Sequence, residues 1–208
     1  SEAIRGAEQV VATGALLAIQ DELAPLLERV EEAWSGPGFT EAEGDAFRYF
    51  LGRRMLPALA GHPELVLGWT APDSEDELVL AARAAASRAP DGQQLVSASL
   101  ADETASESAG RSFVLGNAAQ QLGDLETAAR ALAALDSLPL PLRRFSSVWG
   151  LRTSAHLLRA ETLLDLGQVE EARAELATFR TLVPSDEGVP SSLMDRAAEV
   201  AARIDGVG

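Results

Sequence analysis

The chain has 208 residues, of which 47% are hydrophobic but only 5% aromatic, and its formal net charge at pH 7 is −15. This charge argues against nucleic acids and anionic membrane surfaces as partners, because both are bound through basic stripes. The sequence has no cysteine, which excludes disulfides and thiolate metal sites, and no apolar run is long enough to cross a membrane.

Alanine and leucine dominate the apolar residues, and this composition predicts an all-α fold. Both residues have high helix propensity, and alanine lets helix backbones approach closely. The first predicted helix covers residues 2–34, where apolar residues recur every three or four positions on one face. Pro25 lies within this stripe and predicts a kink, since proline removes a backbone donor.

Three further helix starts are predicted from capping boxes, in which the first and fourth residues bond each other's backbone amides through their side chains. The pairs are Thr40 with Glu43, Ser74 with Glu77, and Thr104 with Glu107. The helix after Thr40 is expected to stop by Gly61 and to bury Phe47, Phe50, Leu51, Met55 and Leu59. The helix after Ser74 is expected to end near Ser87, before a turn at residues 90–92.

The charge distribution suggests a division of the chain. Residues 1–108 hold nineteen acidic residues against seven arginines, whereas residues 109–208 hold thirteen against ten. We therefore expect an acidic helical region at 1–92, a linker or irregular helix at 93–108, and a second helical region at 109–208. One continuous helical stack is the alternative to two subdomains.

The second region contains an internal repeat. Residues 122–128 (LGDLETA) recur forty-four residues later as residues 166–172 (LGQVEEA), and each copy lies between two helical stretches. This pattern resembles the tetratricopeptide repeat, a helix–turn–helix unit of 34 residues. With Gly123 and Gly167 aligned at the turn, Ala128 and Ala172 match the small residue of the family and Pro184 its closing proline. The resemblance covers residues 109–186.

The resemblance implies antiparallel helical hairpins in a right-handed solenoid, with extra N-terminal helices and a C-terminal capping helix at residues 191–204. The glycines would end the first helix of each hairpin in a left-handed conformation. The small alanines would lie where two helices cross closely. The longer period of this chain places an insertion at residues 138–147 between the hairpins.

The resemblance also implies a function, which is a non-catalytic protein–protein interaction scaffold or an accessory subunit. In the family the first helices of the hairpins line an inner groove. The matching positions here include an apolar patch and its polar neighbours: Phe113, Val114, Asn117, Gln120, Gln121, Leu157, Leu158 and Glu161. Apolar patches are rarely left open to water. We therefore expect this groove to hold an amphipathic helix, either from the protein's own N-terminal helices or from a partner.

A second candidate contact surface is a basic island within an acidic chain. No carboxylate occurs from residue 137 to residue 160, whereas Arg143, Arg144 and Arg152 fall there together with Trp149. Arginine and tryptophan are favoured in protein interfaces, so these residues predict contact with an acidic protein partner or another copy of the chain. The alternative is a core tryptophan with a solvated arginine rim.

Catalytic chemistry has few candidate residues. His62 precedes a proline in a predicted turn, and His156 falls at a helix-packing position, where a structural histidine is expected. We expect no enzymatic activity, no cofactor and no metal. A helical regulatory or sensor domain with a small ligand in an interhelical pocket is the alternative function, and a subunit of an oligomer is a third. We expect a cytoplasmic protein, with a mature secreted or periplasmic form left open.

Overall fold

The computed structural model describes residues 23–34, 40–101, 108–137, 147–183 and 191–207, without the side chains of residues 33, 34 and 147–149. These segments form ten α-helices and contain no strand. The helices are α1 (Leu23–Trp34), α2 (Glu41–Leu59), α3 (Pro63–Trp69), α4 (Glu77–Ala86), α5 (Gly92–Ala101), α6 (Ala109–Gln121), α7 (Leu125–Ala133), α8 (Ser147–Asp165), α9 (Val169–Leu182) and α10 (Ser191–Val207). A 3₁₀ turn, Ala134–Ser137, follows α7. The all-α prediction is confirmed.

The predicted helix starts agree with the structure in one case of three. Thr40 and Glu43 form the predicted capping box at the start of α2. At α4 the cap is Asp76 instead of Ser74, because the Asp76 carboxylate accepts the backbone N–H groups of Leu78 and Val79 at 3.0 and 3.2 Å.

The third start also differs. Ser108 caps α6 by accepting the backbone N–H of Arg111 at 3.2 Å, one residue after the predicted box ends. Thr104 and Glu107 lie outside the described residues. Ser, Thr and Asp all cap helix N-termini well, so a run of such residues does not define which of them is the N-cap.

The N-terminal helices contribute one core cluster. The described part of the first predicted helix is α1, in which Leu23 and Leu27 are buried, and residues 1–22 lie outside the described residues. In α2, Leu51, Met55 and Leu59 are buried as predicted. Phe50 was predicted inward but is 48% exposed. It lies about 140° around the helix from Met55, so it points away from the buried stripe.

The two repeat glycines end helices in the same way. Gly123 and Gly167 have φ of +78° and +75°. In the first copy the N–H groups of Gly123 and Asp124 donate to the carbonyls of Gln120 and Ala119, both at 2.9 Å. The second copy repeats these two bonds at 2.9 and 2.8 Å, in the two residues directly before α9. This pair of hydrogen bonds is the Schellman motif, which requires a residue in the left-handed conformation.

A third hairpin with the same termination was not predicted. Arg88 follows α4 with φ of +53°. Its N–H donates to the Ala85 carbonyl at 3.0 Å, and the N–H of Ala89 donates to the Ala84 carbonyl at 2.8 Å. The helix that follows is α5, which occupies most of the segment predicted to be a linker or irregular helix. The turn was missed because arginine stands where glycine is usual.

The hairpins pack in succession. The first helices form a row, in which α4 packs on α6, α6 on α8, and α8 on α10, while α7 and α9 pack between consecutive members. One core cluster joins four helices, α4 to α7, and so includes the segment predicted to be a linker: Ala81, Ala85, Val96, Leu115, Ala118, Ala119 and Ala128. Ala128 and Ala172 are both fully buried, as close helix crossings require.

Candidate functional site

The face of α6 that the resemblance assigns to the groove is covered by the C-terminal end of α2. Gln121 donates through Nε2 to the backbone carbonyl of Ala60 at 2.7 Å. A Cβ added at Gly110 would lie 3.1 Å from Cγ of Pro57. Val114 belongs to the same core cluster as Leu56 and Leu59 of α2. The protein's own chain therefore occupies this part of the groove expected from the resemblance.

The corresponding face of α8 is covered by α10. Glu161 accepts both forks of the Arg196 guanidinium, and Asp165 accepts a bond from Arg203 at 2.6 Å. Leu157 lies in a core cluster with Leu193 of α10. Two carboxylates and an apolar contact thus join the last helix to the second hairpin.

The apolar patch expected in an open groove is part of the protein core. Its members and their amide neighbour are at most 7% exposed: Phe113, Val114, Asn117, Leu157 and Leu158. Phe113 and Leu158 share one cluster across the two hairpins, and Asn117 donates to the Phe113 carbonyl at 2.9 Å. Gln120 bonds Thr162 of α8 at 3.2 Å. The prediction that a partner contacts these residues is therefore corrected, since they stabilise the stack itself.

The basic island is neutralised where the structure describes it. Arg152 lies 3.1 Å from the Asp136 carboxylate, which belongs to the 3₁₀ turn just before the carboxylate-free segment. Arg159 contacts Glu175 of α9 at 2.6 Å. Arg143 and Arg144 lie outside the described residues, and Trp149 belongs to α8 with its side chain outside them. Arg152 is therefore not a free cation for an acidic partner, because another part of the chain supplies its carboxylate.

His156 lies at the centre of this ion-pair cluster, with only 7% of its side chain exposed. Its Nδ1 is 2.7 Å from Glu175 Oε2, and its Nε2 is 3.3 Å from Asp136 Oδ1 without forming a hydrogen bond. The cluster links α8 to α9 and to the 3₁₀ turn. Its carboxylates are engaged by arginines as well as by the imidazole, so the arrangement is suited to holding helices together. The structural interpretation of His156 fits this geometry.

Two cavities of ligand size are lined mainly by residues of the N-terminal helices. One of about 530 Å³ lies between α1, α2 and α3 and includes Phe47, Tyr49 and Trp69 in its lining. Another of about 460 Å³ lies between α2, α4 and α6 and is lined by three arginines, Arg53, Arg54 and Arg111. Neither borders the His156 cluster. Within the described segments, no group of three or more metal-ligating side chains is placed to hold an ion.

An exposed aromatic residue adjoins the second cavity. The guanidinium of Arg54 lies 5.3 Å from the ring centroid of Phe50, a distance at which a cation is attracted to an aromatic face. Sequence reasoning missed this pair because it assigned Phe50 to the core. The sequence does contain a signal for this pair, because three arginines fall within a stretch of seven residues in an acidic region: Arg48, Arg53 and Arg54.

Comparisons with known proteins assign this chain to no family. No protein-family model, curated protein or solved structure matches this chain. Within the described segments no helix is both long and apolar enough to span a bilayer.

Proposed function

We propose that this protein is a non-catalytic interaction module that binds a partner peptide, helix or subunit through its stacked hairpins. The observation that carries the proposal is the recurrence of one hairpin, since turns at Arg88, Gly123 and Gly167 end helices with the same pair of bonds. Stacked helical repeats present extended surfaces that are used for binding. The tetratricopeptide-like pattern of residues 109–186 supports the same function.

The partner surface in this proposal is the outer side of α2. Because α2 and α10 cover the inner faces of α6 and α8, a partner at this place meets Phe50 and Arg54 rather than Val114 and Leu157. Aromatic residues and arginine are enriched in interfaces because they combine apolar area with directed donors. Phe50 is one of only three large hydrophobic side chains that are exposed in the described residues.

The test compares Phe50→Ser with Val207→Ser in the full chain. Both replace an exposed large hydrophobic residue, at 48% and 68% exposure, so neither should change the melting temperature appreciably. Each protein is immobilised, incubated with a lysate of the native host, and its captured proteins are quantified by mass spectrometry. We expect a captured protein to be retained by Val207→Ser and to fall at least about tenfold with Phe50→Ser, the size expected for an interface anchor. Equal capture by both variants would rule out this surface.

A small-ligand regulatory domain is the second candidate function, and the cavity of about 530 Å³ favours it. Cavities that hold small ligands have volumes of this order. Gly44 lines the cavity within α2, so Gly44→Leu narrows the space while improving helix propensity. A small molecule that raises the melting temperature of the wild-type chain but not of Gly44→Leu would support this function. A compound panel that shifts both proteins equally would count against it.

A further inference from the structure

The cavity between α2, α4 and α6 contains cationic side chains from two helices. Its volume is about 460 Å³, and its lining includes Arg53, Arg54, Arg111, Asp76, Pro57 and Leu78. Three of these residues are arginines, in a chain whose net charge is −15. Whether the cavity attracts anions therefore depends on which of these three arginines are paired with a carboxylate.

Only one of the three arginines has a carboxylate partner within the described residues. Arg53 Nε bonds Asp76 Oδ2 at 2.6 Å, and Asp76 also caps α4. Arg54 contacts the Phe50 ring but forms no ion pair there. Arg111 donates one bond to the Ser99 carbonyl. Glu77 lines the same cavity, but among the described residues it forms no ion pair with either guanidinium. Within that part of the chain, two cations therefore remain uncompensated beside one space.

The chemistry of the guanidinium indicates the ligand class. Arginine presents five donors in a planar fork that matches carboxylate and phosphate oxygens. The contact made by Arg111 uses one of its donors, and the stacking of Arg54 on Phe50 uses none. Pro57 and Leu78 add apolar surface to the lining, which suits a ligand with an apolar part next to its anionic group.

We propose that this cavity binds a small organic anion, with its carboxylate or phosphate group held by Arg54 and Arg111 and its apolar part against Pro57 and Leu78. The anion joins α2 to α6, the two helices that also meet through Gln121 and Ala60. The two proposals share Arg54, but Arg111, Pro57 and Leu78 belong to the cavity alone. The anion titration below involves no protein partner, so its outcome is independent of the capture experiment at Phe50.

The test titrates the full chain with benzoate, phenyl phosphate and inorganic phosphate, using isothermal calorimetry at low ionic strength. Benzoate and phenyl phosphate share an apolar ring and differ in the anionic group, so the compound that binds more tightly shows whether the site prefers a carboxylate or a phosphate. Ligands of this size are expected to bind with a Kd of about 1 mM. Inorganic phosphate lacks the ring and should bind more weakly than phenyl phosphate. Equal affinity of these two would overturn the assignment of Pro57 and Leu78.

The site is tested with matched charge variants. Arg54→Gln combined with Arg111→Gln should weaken binding at least about tenfold, because hydrogen bonds to charged groups are lost. Arg29→Gln combined with Arg180→Gln removes the same charge from exposed arginines outside the cavity and should change affinity less than about twofold. Equal losses in both pairs would show a non-specific charge effect and overturn the site.

A single variant guards against a folding defect. Arg111 bonds the Ser99 carbonyl, so its replacement can loosen α5 from α6. Arg54 is exposed and makes no hydrogen bond within the described residues, so Arg54→Gln alone should leave the melting temperature unchanged and still weaken binding several-fold. Binding that Arg54→Gln leaves intact, or no saturable binding of either aromatic anion by the wild-type chain, would refute the proposal.

Discussion

The closest helix approach that can be tested by a single methyl group is at Gly52. This buried glycine lies in α2 where it faces the end of α3. A Cβ built on Gly52 would overlap the carbonyl oxygen of Trp69 and lie 2.5 Å from its carbonyl carbon. Since these are backbone atoms, no rotamer change can relieve the overlap, and α3 must move away from α2.

The size of the effect follows from competing terms. The added Cβ would lie 1.6 Å from the Trp69 carbonyl oxygen, and such contacts are not found below 3.0 Å. The end of α3 must therefore retreat by about 1.5 Å and disturb the packing of Val66 and Trp69. Overpacking a core costs about 1–3 kcal/mol and occasionally more, whereas alanine in a helix gains about 1 kcal/mol over glycine. Because the neighbouring atoms are rigid backbone, the cost lies at the upper end of this range, about 3 kcal/mol. The gain in helix propensity offsets about 1 kcal/mol, so we expect Gly52→Ala to lower the free energy of unfolding by about 2 kcal/mol.

The assay is thermal unfolding followed by circular dichroism. For a chain of this length each kcal/mol shifts Tm by about 2–4 °C, so Gly52→Ala should lower Tm by about 4–8 °C. Gly68→Ala and Gly206→Ala are the controls, because an added Cβ meets nothing within 4 Å at either site. They should leave Tm unchanged or raise it slightly. A Gly52→Ala protein as stable as these controls would refute the α2–α3 packing.

The remaining predictions concern the hairpins and one helix cap. Ala172→Arg should cost more than about 3 kcal/mol by overpacking a fully buried position, whereas Ala177→Arg on the exposed side of α9 should cost less than about 0.5 kcal/mol; equal urea midpoints would exclude the repeat register. Arg88→Gly should stabilise the chain by about 0.5–1 kcal/mol by relieving the left-handed backbone, and an unchanged urea midpoint would contradict that conformation. Hydrogen bonds from the Thr40 backbone N–H and, with a smaller effect, from the Thr40 hydroxyl hold the pKa of Glu43 below its ordinary value. The capping box therefore stabilises the folded protein at pH values above the ordinary pKa, and this stabilisation is lost as the pH falls through the lowered pKa. Thr40→Ala keeps the backbone bond and should raise this pKa only part of the way, which an NMR titration of the Glu43 carboxyl measures.

Local signals in the sequence determined the helical class and two of the hairpin turns. Gly123 and Gly167 have the left-handed φ that their position before a second helix predicts, because glycine alone adopts it without strain. The Thr40–Glu43 box formed as expected, since both partners lie within one helical turn. Ala128 and Ala172 are buried for a similar reason, as small residues at fixed offsets from those turns.

The site residues depended on contacts between distant parts of the chain. Whether Val114 faces a groove or a core is decided by α2, more than fifty residues earlier in the sequence. Arg152 pairs with Asp136, which lies sixteen residues earlier, and His156 contacts Glu175 because α8 and α9 pack together. Each of these outcomes follows from which helix covers which face.

Tertiary structure also decided the position of the third hairpin and of the cavity. The turn at Arg88 carries no glycine, and the helices on either side of it share one core cluster with α6, to which α4 contributes Ala81 and Ala85 and α5 contributes Val96. Arg54 and Arg111 are distant in sequence and border one cavity because α2 lies along α6. Short-range propensity and capping act within a few residues, whereas the partner of a helix face is selected by the burial of apolar area over the whole stack.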